Sequence, residues 1–117
     1  MDSLDYGIVS CKWAADYADP NTFLDFFVSN DGNNFYRWSS YQYDQYIKQA
    51  VTEIDPAKRF AIFNKAEMLL IHDEMPVIPI LYLMGVNLYD PNKIDGVRNN
   101  ILDIHPLSQV SRKKLKA

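Results

Sequence analysis

Two side chains suited to ligand binding lie three positions apart near the start of this chain, the indole of Trp13 and the carboxylate of Asp16. They belong to residues 13–17, which follow an apolar run at residues 6–11 that is typical of a strand. An acid at the end of a strand can meet a cation, and a free strand edge can pair with an extended chain. This combination predicts binding rather than catalysis.

Elsewhere in the chain, the residue types that carry out catalysis do not have the spacing of a known active-site motif. The four glycines are too far apart for a phosphate loop or a dinucleotide fingerprint, and no serine lies in a Gly-x-Ser-x-Gly turn. His72 and His105 are distant from each other and from Cys11, the one cysteine, so metal-site spacing is missing and no internal disulfide can form. The sequence therefore predicts no enzyme, no cofactor and no metal.

Composition narrows the class of protein. The chain has 117 residues, of which 48% are hydrophobic and 23% charged, as in an ordinary globular domain. Its net charge of −3 gives no general attraction for nucleic acid, and we interpret the cationic residues 112–116 as a solvated tail. The apolar stretch 75–84 is too short to span a membrane. The acidic first five residues lack the apolar core of a secretory signal peptide.

The pattern of apolar residues predicts one strand and three helices in the first two thirds of the chain. The strand is expected over residues 5–13, and the helices are expected to include residues 23–28, 43–51 and 56–73. An Asp-Pro dipeptide, at 19–20 and again at 55–56, places a capping acid before a proline at two helix starts. Ser39 and Gln42 have the spacing of a capping box.

After residue 75 the pattern changes to extended segments. Residues 77–83 are rich in β-branched and aromatic side chains and are typical of a strand that Pro79 interrupts, and a second extended piece covers residues 85–89. Strands separated in this way by three helices do not make a complete sheet. We therefore expect an α/β fold that is incomplete on its own, with a boundary between residues 75 and 76.

Taken together, these segments resemble the C-terminal part of the extracellular oligopeptide- and dipeptide-binding proteins of ABC transporters, the bacterial solute-binding protein family 5. The motifs that carry the resemblance are Trp13-Ala14-Ala15-Asp16-Tyr17, Asp19-Pro20, Phe23-Leu24, Ser29-Asn30, Tyr36-Arg37-Trp38-Ser39-Ser40, Tyr43-Asp44, the helix from Lys58-Arg59 to Leu69-Leu70, and the stretch from Met75-Pro76 to Tyr82. The resemblance implies a type II periplasmic-binding-protein-like fold, in which two α/β lobes close on a ligand. Residues 1–75 are then expected to form part of the distal ligand-binding lobe, and residues 76–117 to return to the lobe that holds the N-terminus.

The same resemblance implies ligand-binding roles for four residues. Asp16 matches the acid that pairs with the α-ammonium group of a bound peptide, and Trp13 is expected to line a side-chain pocket. The backbone of Ala14 is expected to bond an extended peptide as an added strand does, and Tyr17 completes the predicted site. Without the resemblance, a turn or cap role is open for Asp16 and a place in the core for Trp13.

The resemblance also implies partners and a location. The expected partners are a short peptide ligand, an ABC permease in the cytoplasmic membrane and the missing N-terminal part of the same binding protein, and full-length members are periplasmic or cell-surface lipoproteins. Two positions depart from the family's pattern: Ser10 stands where peptide binders have a basic residue, and Lys12 where small residues are common. The alternative is a truncated or split-gene product with no independent binding activity.

Overall fold

The computed structural model of the protein describes residues 7–114, and this part of the chain divides into two compact units at the bond between Ile80 and Leu81. Unit 1 is the part before this bond, and unit 2 is the part after it. The regular structure of unit 1 is helical, whereas unit 2 contains a small sheet. No helix within residues 7–114 has the length and apolar character that a bilayer span requires.

The described residues of unit 1 contain three α-helices, α1 (Asn21–Leu24), α2 (Tyr41–Thr52) and α3 (Pro56–Met68). A 3₁₀ turn, Asp25–Phe27, continues α1, and a π-helical turn, Leu69–Asp73, continues α3. These bounds confirm the three predicted helical segments, except that Val28, the last residue of the first one, follows the 3₁₀ turn in an extended conformation.

The start of α3 forms as its sequence predicts. The Asp55 carboxylate accepts hydrogen bonds from the backbone N–H groups of Ala57 and Lys58, at 2.9 and 3.3 Å, and Pro56 occupies the first helical position. A proline at this position does not destabilise the helix, because an N–H group there would have no acceptor within the helix. The Asp-Pro signal is therefore a local device that sets where α3 begins.

The core of unit 1 lies between α2 and α3. It is built from one face of each helix, with Tyr43, Ile47 and Ala50 from α2 and Phe63, Ala66 and Leu70 from α3 and its π turn. The fully buried Tyr43 donates a 2.6 Å hydrogen bond from its hydroxyl to the carbonyl oxygen of Leu24. Burial raises the pKa of this phenol. This bond joins the end of α1 to the core.

The predicted capping box at the start of α2 is wrong. The residue before the helix is Ser40, not Ser39, and no side chain there caps the helix. Instead, the Ser40 hydroxyl donates to one carboxylate oxygen of Glu74 at 3.2 Å, and the indole N–H of Trp38 donates to the other at 2.8 Å. Glu74 follows the π turn that continues α3. The hydrogen bond from Ser40 to this residue, 34 positions away in sequence, is formed in place of the predicted local capping box with Gln42.

Unit 2 contains a short antiparallel ladder. Strands β1 (Ile94–Asp95) and β2 (Ser111–Arg112) pair with the first residue of each strand opposite the last residue of the other. A 3₁₀ turn, Leu107–Gln109, precedes β2. Gly96, which follows β1, has a φ of 91°, and a Cβ atom there would lie 1.8 Å from the Gln109 carbonyl oxygen. Only glycine fits this close approach of two backbone segments.

The strands predicted at residues 5–13, 77–83 and 85–89 are not formed in the part of the chain that the structure describes. Residues 5 and 6 lie outside the described range. A strand needs the N–H and C=O groups of a neighbour, and the β1–β2 ladder is the only sheet within residues 7–114. Most apolar side chains in the later segments are exposed, as at Tyr82 (94%) and Leu88 (93%), although Val77 packs partly buried against the core of unit 1. The residues have the composition of strands but no partner strand here.

Candidate ligand-binding site

The predicted site residues lie in an irregular segment, and two of them, Trp13 and Asp16, bond to the same residue of α1. The indole N–H of Trp13 donates to the carbonyl oxygen of Thr22 at 3.2 Å, and the backbone N–H of Asp16 donates to the Thr22 hydroxyl at 3.1 Å. Thr22 lies inside α1 and is 3% exposed. Although residues 8–15 have no regular secondary structure, the indole of Trp13 and the backbone of Asp16 therefore have defined attachment points.

The ring of Trp13 is packed on one side and open on another. Its centroid lies 4.7 Å from that of Phe26, at an interplanar angle of 55°, and Phe26 is buried. Phe26 in turn contacts the rings of Phe27, Phe35 and Tyr36. Trp13 itself remains 40% exposed. The ring is thus backed by an aromatic cluster, as a core residue is, while much of its surface is available to a ligand.

Asp16 presents a free carboxylate to solvent. Its side chain is exposed, and no described residue forms a hydrogen bond or an ion pair with it. The turn or cap role that was open for Asp16 is not seen at its carboxylate, whereas the nearby Asp19 carboxylate accepts the backbone N–H of Asn21 at 2.9 Å. Because its backbone is held and its carboxylate is unpaired, Asp16 is placed to bind a cation.

An ion pair anchors the next turn of the chain to the helical core. The guanidinium of Arg59, on α3, donates to both carboxylate oxygens of Asp19 at 2.5 and 2.8 Å. Its Nε also donates to the Ala50 carbonyl at 3.0 Å, and its carbon atom lies 4.7 Å from the centroid of the Phe63 ring. Hydrogen bonding to Arg59 lowers the pKa of Asp19. Asp19, which follows the predicted site residues along the chain, is therefore joined to α3 and, through Arg59, to α2.

Tyr17 takes part in a polar network with α1 and the turn after it. Its hydroxyl donates to the Asp25 carboxylate, and the side-chain amide of Asn21 donates both to that hydroxyl and to the same carboxylate, each at 3.1 Å. Burial raises the pKa of the Tyr17 phenol, and Asp25 adds to this shift. The hydroxyl is thus engaged within the protein, while 43% of the residue remains exposed.

Sequence reasoning predicted a ligand-binding role for Trp13, Ala14, Asp16 and Tyr17, and this role stays a prediction. It did not indicate the contacts of Thr22 and Arg59. Thr22 carries no motif of its own within the apolar run of α1, and Arg59 lies 40 residues from Asp19. The Asp-Pro dipeptide at residues 19–20 predicted Asp19 as the N-cap, but the residue before α1 is Pro20, and Asp19 accepts the N–H of Asn21, the first helical residue, from one position further back. Its second role, as the partner of Arg59, depends on tertiary structure, and no sequence spacing indicates it.

The chemistry available at the site is that of recognition. It offers one free carboxylate, one half-exposed indole and the backbone of Ala14, which forms no backbone hydrogen bond with any described residue. Nowhere in residues 7–114 do three His, Cys, Asp or Glu side chains come together in a group that would hold a metal ion. A cationic or extended ligand fits this set of groups.

The chain is homologous to oligopeptide- and dipeptide-binding proteins of solute-binding protein family 5. It is 33% identical over 95% of its length to the dipeptide-binding protein DppE of Bacillus subtilis, and 38% identical over 79% to the oligopeptide-binding protein OppA of the same organism. It is also 33% identical over 74% of its length to the probable deoxycholate-binding periplasmic protein YgiS of Escherichia coli. No family model matches the chain.

These relatives are much longer than the chain. It spans 19% of DppE, 17% of OppA and 16% of YgiS. The relatives are substrate-binding proteins rather than enzymes, and by name they include dipeptide, oligopeptide and deoxycholate binders.

Proposed function

We propose that this chain is the C-terminal portion of a solute-binding protein that captures short peptides and delivers them to an ABC permease in the cytoplasmic membrane. The observation that carries the proposal is the free carboxylate of Asp16, three positions after the half-exposed Trp13, in a chain homologous to named peptide binders. Such a protein needs no catalytic group. In this proposal it acts in the periplasm, as the name of the Escherichia coli relative YgiS states for that protein, or at the cell surface.

The free N-terminus of a peptide supplies the cation for Asp16. Closure of two lobes around the ligand excludes water, and an ammonium–carboxylate pair is stronger in such an environment than in bulk solvent. Loss of one partner of a shielded pair costs about 3–5 kcal/mol. In this proposal, recognition of the ammonium group is the main source of selectivity for peptides.

The groups around Asp16 supply the rest of the peptide contact. The unpaired N–H and C=O groups of Ala14 hydrogen-bond the peptide backbone in the manner of an added strand. The open face of Trp13 covers a peptide side chain, and Tyr17 borders the same surface. Ser10 adds no positive charge for a peptide carboxylate, so the C-terminal end of the ligand is bound elsewhere.

The remaining protein is needed to complete the fold. The large apolar side chains from Ile78 to Leu88 are each about two thirds exposed or more, and they include Ile80, Tyr82 and Met84. In this proposal they pack on the missing N-terminal part of the same binding protein. We also propose that residues 1–75 belong to the distal lobe and that residues 76–117 return to the other lobe.

A second candidate function is a truncated or split-gene product with no binding activity of its own. The exposed apolar segment and the small share of each relative that the chain spans favour it for the isolated polypeptide. Inspection of the coding region upstream of Met1 separates the two. A reading frame that encodes a signal peptide and the missing lobes indicates a binding protein, and its absence indicates a truncated product.

Calorimetry on the complete binding protein tests the peptide proposal. A tripeptide with a free N-terminus should bind at least tenfold more tightly than its N-acetylated form, and Asp16→Ala should remove most of that difference. Glu67→Gln is the matched control, because Glu67 is an exposed acid on α3 and not in the segment that carries Asp16. Equal affinity for free and acetylated peptides contradicts the role of Asp16, and binding of deoxycholate but not of peptides overturns the ligand class.

A further inference from the structure

We propose that Thr22 is a positioning residue, which fixes the direction in which Asp16 and Trp13 face the ligand. The inference rests on the proposed function, since it concerns how the same site is built. It assigns a role to a residue that contacts no ligand itself and is 3% exposed.

All three polar groups of Thr22 bond to the preceding segment. Its carbonyl oxygen accepts the indole N–H of Trp13 at 3.2 Å, and its hydroxyl accepts the backbone N–H of Asp16 at 3.1 Å. Its own backbone N–H donates to the carbonyl oxygen of Asp19 at 3.2 Å. One buried residue thus holds the segment at three points along residues 13–19.

The segment has little else to fix its geometry near Asp16. Residues 8–15 have no regular secondary structure, and no described residue bonds the Asp16 carboxylate. The Asp16 N–H forms no hydrogen bond within the described chain other than the one to Thr22. Because binding is weakened when a recognition group must first be ordered, a held backbone at Asp16 raises affinity.

The hydroxyl is the part of Thr22 that a side-chain substitution can remove. Thr22→Val keeps the size and branching of the side chain and leaves the carbonyl that accepts the Trp13 indole, but it frees the Asp16 N–H. Thr22→Ser keeps the hydroxyl and is the matched control. A difference between valine and serine variants therefore reports the bond to Asp16 and not the packing of α1.

The test measures peptide affinity by calorimetry on the complete binding protein, with free and N-acetylated forms of one tripeptide. We expect Thr22→Val to weaken binding of the free peptide about fivefold and of the acetylated peptide less than about twofold. Thr22→Ser should stay within about twofold of wild type for both. A role limited to folding would weaken both peptides equally, and that result would overturn the inference.

Amide hydrogen exchange at Asp16 keeps the inference testable if the proposed function fails. In wild type and Thr22→Ser the Asp16 amide should be protected, and in Thr22→Val it should exchange at least tenfold faster while the α2 and α3 amides are unchanged. Unchanged exchange at Asp16 in Thr22→Val overturns the inference. If Asp16→Ala leaves peptide binding intact, the proposed function fails while this exchange result still decides the role of Thr22.

Discussion

Replacement of Arg59 by methionine should lower the opening free energy of unit 1 by about 2 kcal/mol at neutral pH. Methionine keeps an unbranched stem beside Phe63, while the two bonds to Asp19 and the bond to the Ala50 carbonyl are lost. Hydrogen bonds to charged groups contribute roughly 1.5–3 kcal/mol, whereas exposed ion pairs contribute about 0–1 kcal/mol. Arg59 and Asp19 are 26% and 28% exposed, so the expected value lies between these limits.

The loss should depend on pH in a defined direction. Arg59 lowers the pKa of Asp19 in the folded state, so the carboxylate stabilises the fold fully above the unfolded-state pKa, about 3.9. That stabilisation disappears as the pH falls through the lower folded-state pKa. The difference between wild type and Arg59→Met should therefore be constant near neutral pH and shrink below about pH 4.

The assay is native-state hydrogen exchange of the α2 and α3 amides, which reports the stability of unit 1 independently of unit 2. Lys58→Met is the matched control, because Lys58 forms only a 3.9 Å ion pair with Asp55 and its side chain is 71% exposed. It should change the opening free energy by less than about 0.5 kcal/mol. Equal effects of the two substitutions, or an Arg59→Met effect that persists unchanged at pH 2.5, would refute this account of the ion pair.

Three further outcomes follow from the same structure. Asp55→Ala should destabilise α3 by about 1 kcal/mol, since it removes the cap, and helicity measured by circular dichroism in urea checks this. Tyr43→Phe should cost about 1–2 kcal/mol, because the Leu24 carbonyl loses its hydroxyl donor, and a loss below 0.3 kcal/mol in a denaturant titration would contradict it. The isolated chain should associate through its exposed apolar segment. The double substitution Tyr82→Lys and Leu88→Lys should reduce this association, as measured by analytical ultracentrifugation. A wild-type chain that stays monomeric and melts in one sharp cooperative transition would contradict the expectation.

Local signals in the sequence predicted the helices well. The Asp-Pro dipeptide at residues 55–56 fixes the start of α3 through bonds to the next turn, and the apolar stripe fixes which face is buried. These features depend on residues within a few positions of one another. The strands predicted at residues 77–83 and 85–89 depend instead on a neighbouring strand, which the described chain does not provide.

The candidate site divides in the same way between local and distant contacts. Trp13 and Asp16 were found from their types and from their place after an apolar run, and their ligand-binding role is still a prediction. The contacts that position them were not predictable, because the hydrogen bonds from Thr22 to Trp13 and Asp16 span nine and six residues and follow no recognised motif. Arg59 reaches Asp19 across 40 residues, which only the packing of α3 determines.

The most direct test of the central claim is a double-mutant cycle between Asp16 and the α-ammonium group of the ligand. Affinities are measured for wild type and Asp16→Asn, each with the free and the N-acetylated form of one tripeptide. We expect a coupling free energy of at least about 1.4 kcal/mol, which corresponds to a tenfold effect that appears only when both charged groups are present. A coupling near zero, with both proteins binding both peptides in the same ratio, would show that Asp16 does not recognise the peptide N-terminus.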